Sequence, residues 1–429
     1  HLQGSYALCV MHKDTHELIG ARNGSPLLIG LGNEENFLAS DASAIIDHTK
    51  DVIYMNDFQV AEISKDYVKV FDFDGIEQQH EIKKIDWNLE QAQKGGYTHF
   101  MLKEIFEQPV VAQESLNVNF ILAKDFSRII IVACGTASYA GLVGKYVLEK
   151  VAKIPVVNEI ASEFRYKECL ISERDLVIAI SQSGETADTL AAVRLAHQKG
   201  ARTLGLINVV DSTIAREVDS VVYTRAGPEI GVASTKAFIS QLITLYKLAF
   251  HFTDNEMNHS IVDKIAETLQ LSDSIRKLAE QYYECQNFLY IGRNLSFPLA
   301  LEGALKLKEI SYIHAEAYPA GELKHGPIAL VCTEMPTIAI CPQDTVYEKT
   351  YSNIEEVKAR KGRVITIATE GDERIKNVSN NVIYVPKVNN ILYPFVIAVV
   401  LQLFAYHVAD LRDCDVDKPR NLAKSVTVE

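Results

Sequence analysis

Asp175-Leu176-Val177-Ile178-Ala179-Ile180-Ser181-Gln182-Ser183-Gly184-Glu185-Thr186 is the stretch on which the fold turns. The apolar run from Leu176 to Ile180 has the length and composition of a buried strand. A hydroxyl-rich turn with one glycine follows. Leu190, Val193 and Leu195, with small alanines between them, then carry a helical pattern. A strand therefore delivers hydroxyls, a glycine and a helix N-terminus to one place, where free backbone N–H groups and the helix dipole favour an anion. The turn holds no Lys or Arg and lacks the G-x-x-x-x-G-K-[ST] spacing of a nucleotide loop. Such a neutral cradle suits one phosphate on a small polar ligand better than a triphosphate with its metal. The same residues also suit an ordinary βα turn closed by a Ser/Thr cap.

Outward from this turn, strands alternate with helix-length segments. The strands are expected at Arg128–Ala133, Val156–Asn158, Asp175–Ile180, Thr203–Ile207 and Ser220–Tyr223. That alternation predicts a parallel sheet with helices on both faces. The order then recurs at an offset of about 160 residues: 129–135 matches 287–292, 176–181 matches 335–341, and 200–207 matches 362–368. Two copies of one doubly wound α/β domain follow, joined by helical sequence around Phe238–Phe252 and Ile261–Tyr283. Ligands of such sheets lie at the carboxyl ends of the strands, so chemistry is expected after Ala133, Ile180 and Ile291. Ahead of the copies, Ser5–Met11, Pro26–Leu31 and Val68–Phe73 read as short strands of a partial β-rich domain whose start is expected outside this chain. Residues from about 81 to 96 read as a polar linker, and Tyr97–Gln108 as a helix. The expected units are 1–83, a linker and helix over 84–118, copies over 119–258 and 279–418, and a tail over 419–429.

A length of 429 residues allows two or three domains, and 48% hydrophobic with 23% charged residues is the balance of a soluble globular chain. A net charge of −13 argues against nucleic acid or an anionic membrane as partner, so any phosphate site must be built locally. The cysteines at 9, 134, 169, 285, 332, 341 and 414 form no C-x-x-C pair and no metal-ligand spacing, so no metal is expected. They read as buried free thiols in a reducing cytoplasm. No signal peptide is visible at the start. Ile391–Val408 is the most apolar run, but Pro394, Gln402 and His407 interrupt it, which predicts a core helix rather than a membrane span.

Several residues have the chemistry of a site. Cys134-Gly135-Thr136-Ala137-Ser138 follows the first strand and offers hydroxyls at a helix start. With no histidine paired to it, Cys134 reads as a core thiol rather than a nucleophile. Val232-Ala233-Ser234-Thr235-Lys236 opens a helix, and Ser234 suits either its cap or a ligand hydroxyl. Glu302, Lys306 and Glu309 share one helix face. That face is either a solvated salt-bridge row or a general base held beside a lysine near a sugar carbonyl. His325, in the glycine-bracketed loop 321–327, is either an exposed turn residue or a proton shuttle. The tail carrying Lys424 alternates apolar and polar residues without glycine, so it is able to dock. A lysine shielded there has the means to form a Schiff base with a ketose.

Taken in order, Cys-Gly-Thr at 134–136, Ser-Gln-Ser-Gly-Glu-Thr-Ala-Asp-Thr-Leu at 181–190, Gly-Val-Ala-Ser-Thr-Lys-Ala-Phe at 231–238, Ala-Leu-Glu-Gly-Ala-Leu-Lys-Leu-Lys-Glu-Ile-Ser-Tyr at 300–312, Gly-Glu-Leu-Lys-His-Gly-Pro at 321–327 and the ending from Pro419 resemble the glutamine–fructose-6-phosphate aminotransferase (isomerizing) family. The resemblance implies two sugar-isomerase (SIS) domains behind a glutamine amidotransferase domain. It implies synthesis of glucosamine 6-phosphate from fructose 6-phosphate and glutamine, without metal or diffusible cofactor, in a cytoplasmic homodimer. Carried over, it places Ser181, Gln182, Ser183 and Thr186 on the phosphate with Thr136 beside them, and Val232, Ser234 and the Ala423 backbone along the sugar. Lys424 is implied as the imine-forming residue at C2, Glu309 as the carrier of the proton between C1 and C2, and His325 as the ring opener, reaching in from a neighbouring subunit. Lys306, paired with Glu302, is implied beside the proton-transfer carboxylate. The chain departs from the pattern at Ala137, where many members have serine, and at its start. It opens at His1 without the N-terminal cysteine that the family uses on glutamine, so as written it is expected not to hydrolyse glutamine. A sugar-phosphate-binding regulatory module and a plain phosphosugar isomerase are the alternatives, because the fold serves all three.

Overall fold

A computed structural model describes residues 2, 4–85, 93–168 and 170–427. The middle of the expected linker, Cys169 and the last two residues of the tail lie outside the described residues.

Residues 4–85 form two antiparallel sheets. One has the order β1-β2-β6-β7-β8, with β1 at Tyr6–Met11, β2 at Leu18–Asn23, β6 at Gln59–Ile63, β7 at Val68–Asp72 and β8 at Glu77–Gln78. The other has the order β4-β3-β5-β9, with β3 at Leu28–Leu31, β4 at Asn36–Ala39, β5 at Asp51–Tyr54 and β9 at Lys83–Lys84. Alternate residues point inward: Ile29, Ile53, Met55, Ala61, Ile63 and Val70 make one small core. β1 pairs with β2 alone, and Leu8, Val10 and Met11 on it are exposed, as expected of an open sheet edge.

The helix expected over 97–108 is two helices, α1 at Phe100–Phe106 and α2 at Gln108–Leu116. Pro109, in the first turn of α2, has no N–H to continue α1. The Gln108 side chain supplies that donor instead, to Ile105 O at 2.8 Å.

The two α/β copies have the same topology. In the first, β10 (Arg128–Ala133), β11 (Val156–Ile160), β12 (Asp175–Ser181), β13 (Arg202–Ile207) and β14 (Ser220–Tyr223) form a parallel sheet in the order β11-β10-β12-β13-β14. In the second, β15 (Asn287–Gly292), β16 (His314–Pro319), β17 (Thr337–Cys341), β18 (Val364–Thr369) and β19 (Asn381–Val385) repeat it as β16-β15-β17-β18-β19. α3 (Gly135–Val147), α4 (Ala161–Phe164), α5 (Ala187–Gln198), α6 (Thr213–Glu217) and α7 (Lys236–His251) belong to the first copy. α8 (Ile261–Leu269) and α9 (Ser272–Ala279) lead to the second, which has α10 (Ser296–Ser311), α11 (Tyr347–Lys358) and α12 (Tyr393–Leu411).

Period-two alternation explains why each sheet is covered twice. Along β10, Ile129, Ile131 and Ala133 face one core while Ile130 and Val132 face another. The inner faces of both sheets, with α3, α7, α8, α9, α10 and α12 between them, build a single continuous core. The expected joining helices are therefore part of a shared interior. Tyr246 of α7 packs edge-on to Phe395 of α12, 4.8 Å between ring centroids. α12 is long and apolar enough to cross a membrane, yet 89% of that stretch is buried inside the protein, so the core-helix expectation holds. The cysteine expectation does not hold as stated. Among the described residues only Cys341 is fully buried, whereas Cys9 and Cys332 are exposed, and all six are free thiols. Both exposed thiols lie in mixed sequence where apolar neighbours face the solvent, as on β1.

In both sheets the strand order reverses between the first strand and its neighbours, which places the switch point of the first copy between β10 and β12. The Cys134–Ser138 and Ser181–Thr186 segments open from those two strand ends, on adjacent strands.

Candidate active site

Ser181 ends β12 and turns its hydroxyl to Thr186, 3.1 Å away, and to Gly184 N at 2.9 Å. Glu185 N donates to Ser183 Oγ at 3.2 Å. Thr186 therefore closes the turn on Ser181 and does not cap α5; no side-chain cap is made there. Gly184 sits at φ +67°, and a Cβ on it would lie 1.8 Å from Ser212 Oγ, so the tight turn requires glycine. Gln182, Ser183 and Thr186 are half-buried at the mouth of the turn.

The first N–H of α5 is not free, contrary to the simplest expectation for an anion cradle. Ala187 N donates to Val426 O at 3.0 Å, because the tail lies across the helix start. The segment leading into the tail is also held. Asp417 O accepts from Val232 N at 3.0 Å, and its carboxylate accepts Phe100 N and Met101 N at 2.9 Å each, holding the start of α1. Arg420 stacks on Tyr312, 4.2 Å from the ring centre.

This docking brings Lys424 to a prepared seat. Its amine donates to Glu229 Oε2 at 2.8 Å and to Gly231 O at 2.7 Å, with about a quarter of the side chain still open. Glu229 is wholly buried and does several things at once. Its Oε1 accepts Thr235 N at 2.9 Å and Ala237 N at 3.0 Å, which caps α7, and Oε2 accepts the Ser234 hydroxyl at 3.1 Å. Ser234 is thus not the helix cap, which Glu229 provides from five residues upstream; its hydroxyl, in donating to that carboxylate, keeps its acceptor lone pairs. Burial opposes the charge on Glu229, but the Lys424 ammonium and these backbone donors override it and hold the carboxyl below its ordinary range. Val232 and Ala423 flank the seat in sequence, half-buried and exposed respectively.

A second cluster lies on α10. Glu302 and Lys306 are fully buried, which excludes the solvated salt-bridge row. Lys306 forms a close ion pair with Glu309, 2.6 Å, and a longer one with Glu302, 3.6 Å. Thr136, from the first copy, accepts Lys306 Nζ at 2.9 Å and donates to Glu302 Oε1 at 3.3 Å. Its hydroxyl is therefore occupied by α10 and not by the phosphate turn. Burial pushes the Glu302 carboxyl up to about 7, with Lys306 only partly opposing it. For Lys306 burial works against the charge, but Glu302 and Glu309 together raise its proton affinity. Glu309 is the member that reaches solvent, with a fifth of its side chain open. Glu229 acts on Lys306 across the space between the clusters. Ser138 is buried against Asn158, so it does not replace the hydroxyl absent at Ala137.

His325 stands apart. It ends a 3₁₀ helix, Ala320–His325, beside the edge strand β16 and is exposed. Among the described residues it makes no hydrogen bond or ion pair with Lys424.

Sequence reasoning missed Glu229 and Glu104. Glu104, on α1, is buried, and its Oε1 accepts Ile230 N at 2.5 Å and Gly231 N at 3.1 Å. Neither sits in a capping box, and only a carboxylate lying among apolar and glycine residues in Gly227–Ala233 offered a signal for Glu229. No cluster able to hold a metal exists among the described residues.

Two doubly wound copies with a hydroxyl turn at the switch point define a tandem sugar-isomerase architecture, and the SIS domain family matches residues 121–251 and 281–411. The C-terminal domain of glucosamine-fructose-6-phosphate aminotransferase from Francisella tularensis superposes with a TM-score of 0.70 at 39% identity, over 76% of this chain and all of that one. Glucosamine-6-phosphate deaminase from Thermotoga maritima superposes at 0.66 with 25% identity, over 76% and 99%. A glutamine–fructose-6-phosphate aminotransferase (isomerizing) from Chlorobaculum tepidum is 48% identical over the whole of this chain and 75% of its own length. The chain belongs to the glutamine–fructose-6-phosphate aminotransferase (isomerizing) family.

Proposed function

We propose that the chain makes glucosamine 6-phosphate from fructose 6-phosphate and ammonia derived from glutamine. Family membership supports the overall reaction, and the site is supported by the tail that carries Lys424, which crosses the start of α5 next to the Ser181–Thr186 turn through Val426 O. The phosphate occupies the turn, held by Ser181, Gln182, Ser183 and Thr186. The neutral Lys424 amine adds to C2 of the open ketose, and loss of water leaves an imine. Ammonia adds to that carbon and expels the lysine. Glu309 takes the proton from C1 and returns it to C2, leaving an aldehyde at C1 and an amine at C2. Lys306 and Glu302 fix Glu309, and Thr136 ties them to the first copy. Val232, Ser234 and Ala423 line the sugar. In a homodimer the exposed His325 of one copy reaches the sugar of the other and opens its ring. Residues 1–83 belong to the glutamine-handling part, 84–118 connect it, 119–258 and 279–418 are the SIS domains, and 419–429 are the active-site tail. The reaction needs only soluble metabolites, consistent with a cytoplasmic enzyme.

The test is incubation with fructose 6-phosphate and an ammonium salt, followed by detection of glucosamine 6-phosphate. Product that disappears in Glu309→Gln supports synthesis. Binding of fructose 6-phosphate with neither amino-sugar nor glucose 6-phosphate formed would instead indicate a sensor.

A further inference from the structure

Glu104 has no part in the proposed steps, yet it is one of the most constrained side chains near them. It sits on α1, buried, opposite the turn 229–232. That turn provides both acceptors of the Lys424 amine, the Glu229 carboxylate and the Gly231 carbonyl. Glu229 anchors the turn from one side, through the first N–H groups of α7. On the other side Ile230 N and Gly231 N both point at Glu104 Oε1. The peptide from Ile230 to Gly231 is thus held by its N–H groups while its carbonyl end faces the lysine. The arrangement is closed by the tail itself: Asp417 holds the start of α1 and accepts Val232 N, so helix, turn and tail are one interlocked unit.

We propose that Glu104 is a positioning residue for Lys424, pinning the 229–232 turn so that the Glu229 carboxylate and Gly231 carbonyl converge on the amine. The inference rests on the reading of Lys424 as the imine-forming residue. Both carboxylates lie in the same buried space, and the other oxygen of Glu104 has no partner. A Cβ on Gly231 would lie 2.9 Å from it, so glycine is what admits the second carboxylate so close to the seat. Burial, then the Glu229 charge, push Glu104 up to about 7, while Lys424 and Lys236 oppose the rise. Of the two lysines that act on Glu104, Lys424 acts the more strongly; Lys236 is paired with Glu107 at 2.7 Å. Glu104 is therefore charged above about pH 7 and neutral below it.

The test compares Glu104→Gln and Glu104→Ala with wild type in the rate of borohydride-trapped fructose 6-phosphate on Lys424, followed across pH. Alanine removes the acceptor and is expected to slow trapping by about 10- to 100-fold, with half-saturation by fructose 6-phosphate little changed, because the phosphate turn is untouched. Glutamine keeps an acceptor oxygen for both N–H groups. It is expected to restore most of the rate and to remove from the pH profile the inflection near 7 that ionisation of Glu104 contributes. Glu302 titrates in the same range but is present in all three proteins, so it cancels in the comparison. Wild-type trapping in Glu104→Ala, or a Glu104→Gln profile superimposable on wild type, overturns the proposal. Should the alanine variant fail to fold, the glutamine profile alone decides. An absence of any Lys424 adduct in wild type would overturn the reading of Lys424 itself, a different failure from an unchanged variant.

Discussion

At the scale of single residues, two buried carboxyls with raised proton affinity contribute a pH dependence to the stability of the fold. Glu104 and Glu302 are both pushed up to about 7, each chiefly by burial. A carboxyl raised on folding supplies stability that is complete below its unfolded value and is lost as the pH climbs through its folded one. Their joint contribution therefore falls from about pH 4.5 to about pH 7. Glu302→Gln keeps an acceptor for Thr136 and removes one of the two titrations, so its melting temperature should decline less over that interval than that of wild type. Parallel curves would show that Glu302 is already ionised in the fold. Glu309→Gln separates two steps of the proposed chemistry. Amino-sugar formation should fall by about 10²- to 10⁴-fold, the usual range for a lost general base, while borohydride trapping on Lys424 persists.

At the scale of elements, the phosphate turn is rigid because Gly184 is wedged against Ser212. Gly184→Ala should cost about 1–3 kcal/mol from its positive φ alone, and more from the overlap. Chemical denaturation and fructose 6-phosphate titration should both register it; unchanged affinity would mean the turn is not the phosphate seat. The turn itself is legible in the sequence, and so are all five strands of the first copy: β10, β12 and β13 are buried parallel strands and read as continuous apolar runs, while the half-exposed edge strands β11 and β14 are legible only from the alternation around them. The split of the 97–108 helix is carried by Pro109, whose missing N–H ends the first helix. What sequence did not show was how α10 and the 229–237 segment are used. Helical spacing placed Glu302, Lys306 and Glu309 on one face, but spacing is the same for a face in water and one sealed by another domain. Burial of that face depends on α3 and α12 packing over it. Likewise a hydroxyl residue before a helix suggested a cap at Ser234, whereas the cap came from Glu229, brought back by the path of the loop.

At the scale of the whole molecule, the β-rich unit and the first SIS domain meet at a buried arginine. Arg22 of β2 donates to Met55 O at 2.6 Å and to Thr213 Oγ1 at 2.7 Å, and pairs with Asp57 and Glu185 at 3.2 Å each. Glu185 belongs to the phosphate turn and also accepts Thr213 N at 2.8 Å. Arg22→Ala leaves two carboxylates without their shared partner and should destabilise the chain by about 3–5 kcal/mol, with earlier proteolytic cleavage between the units. A variant as stable as wild type would show the contact to be dispensable. The tail closes the other side of the same assembly, since Thr427 reaches Ser25 while Val426 lies on α5. Whether that closure delivers a nucleophile is decided by reducing the protein with borohydride in the presence of fructose 6-phosphate and mapping the modified peptide by mass spectrometry. The hexose phosphate should be found on Lys424 and be absent from Lys424→Arg. A hexose on another lysine, or none while the sugar phosphate still binds, would contradict imine chemistry at this site.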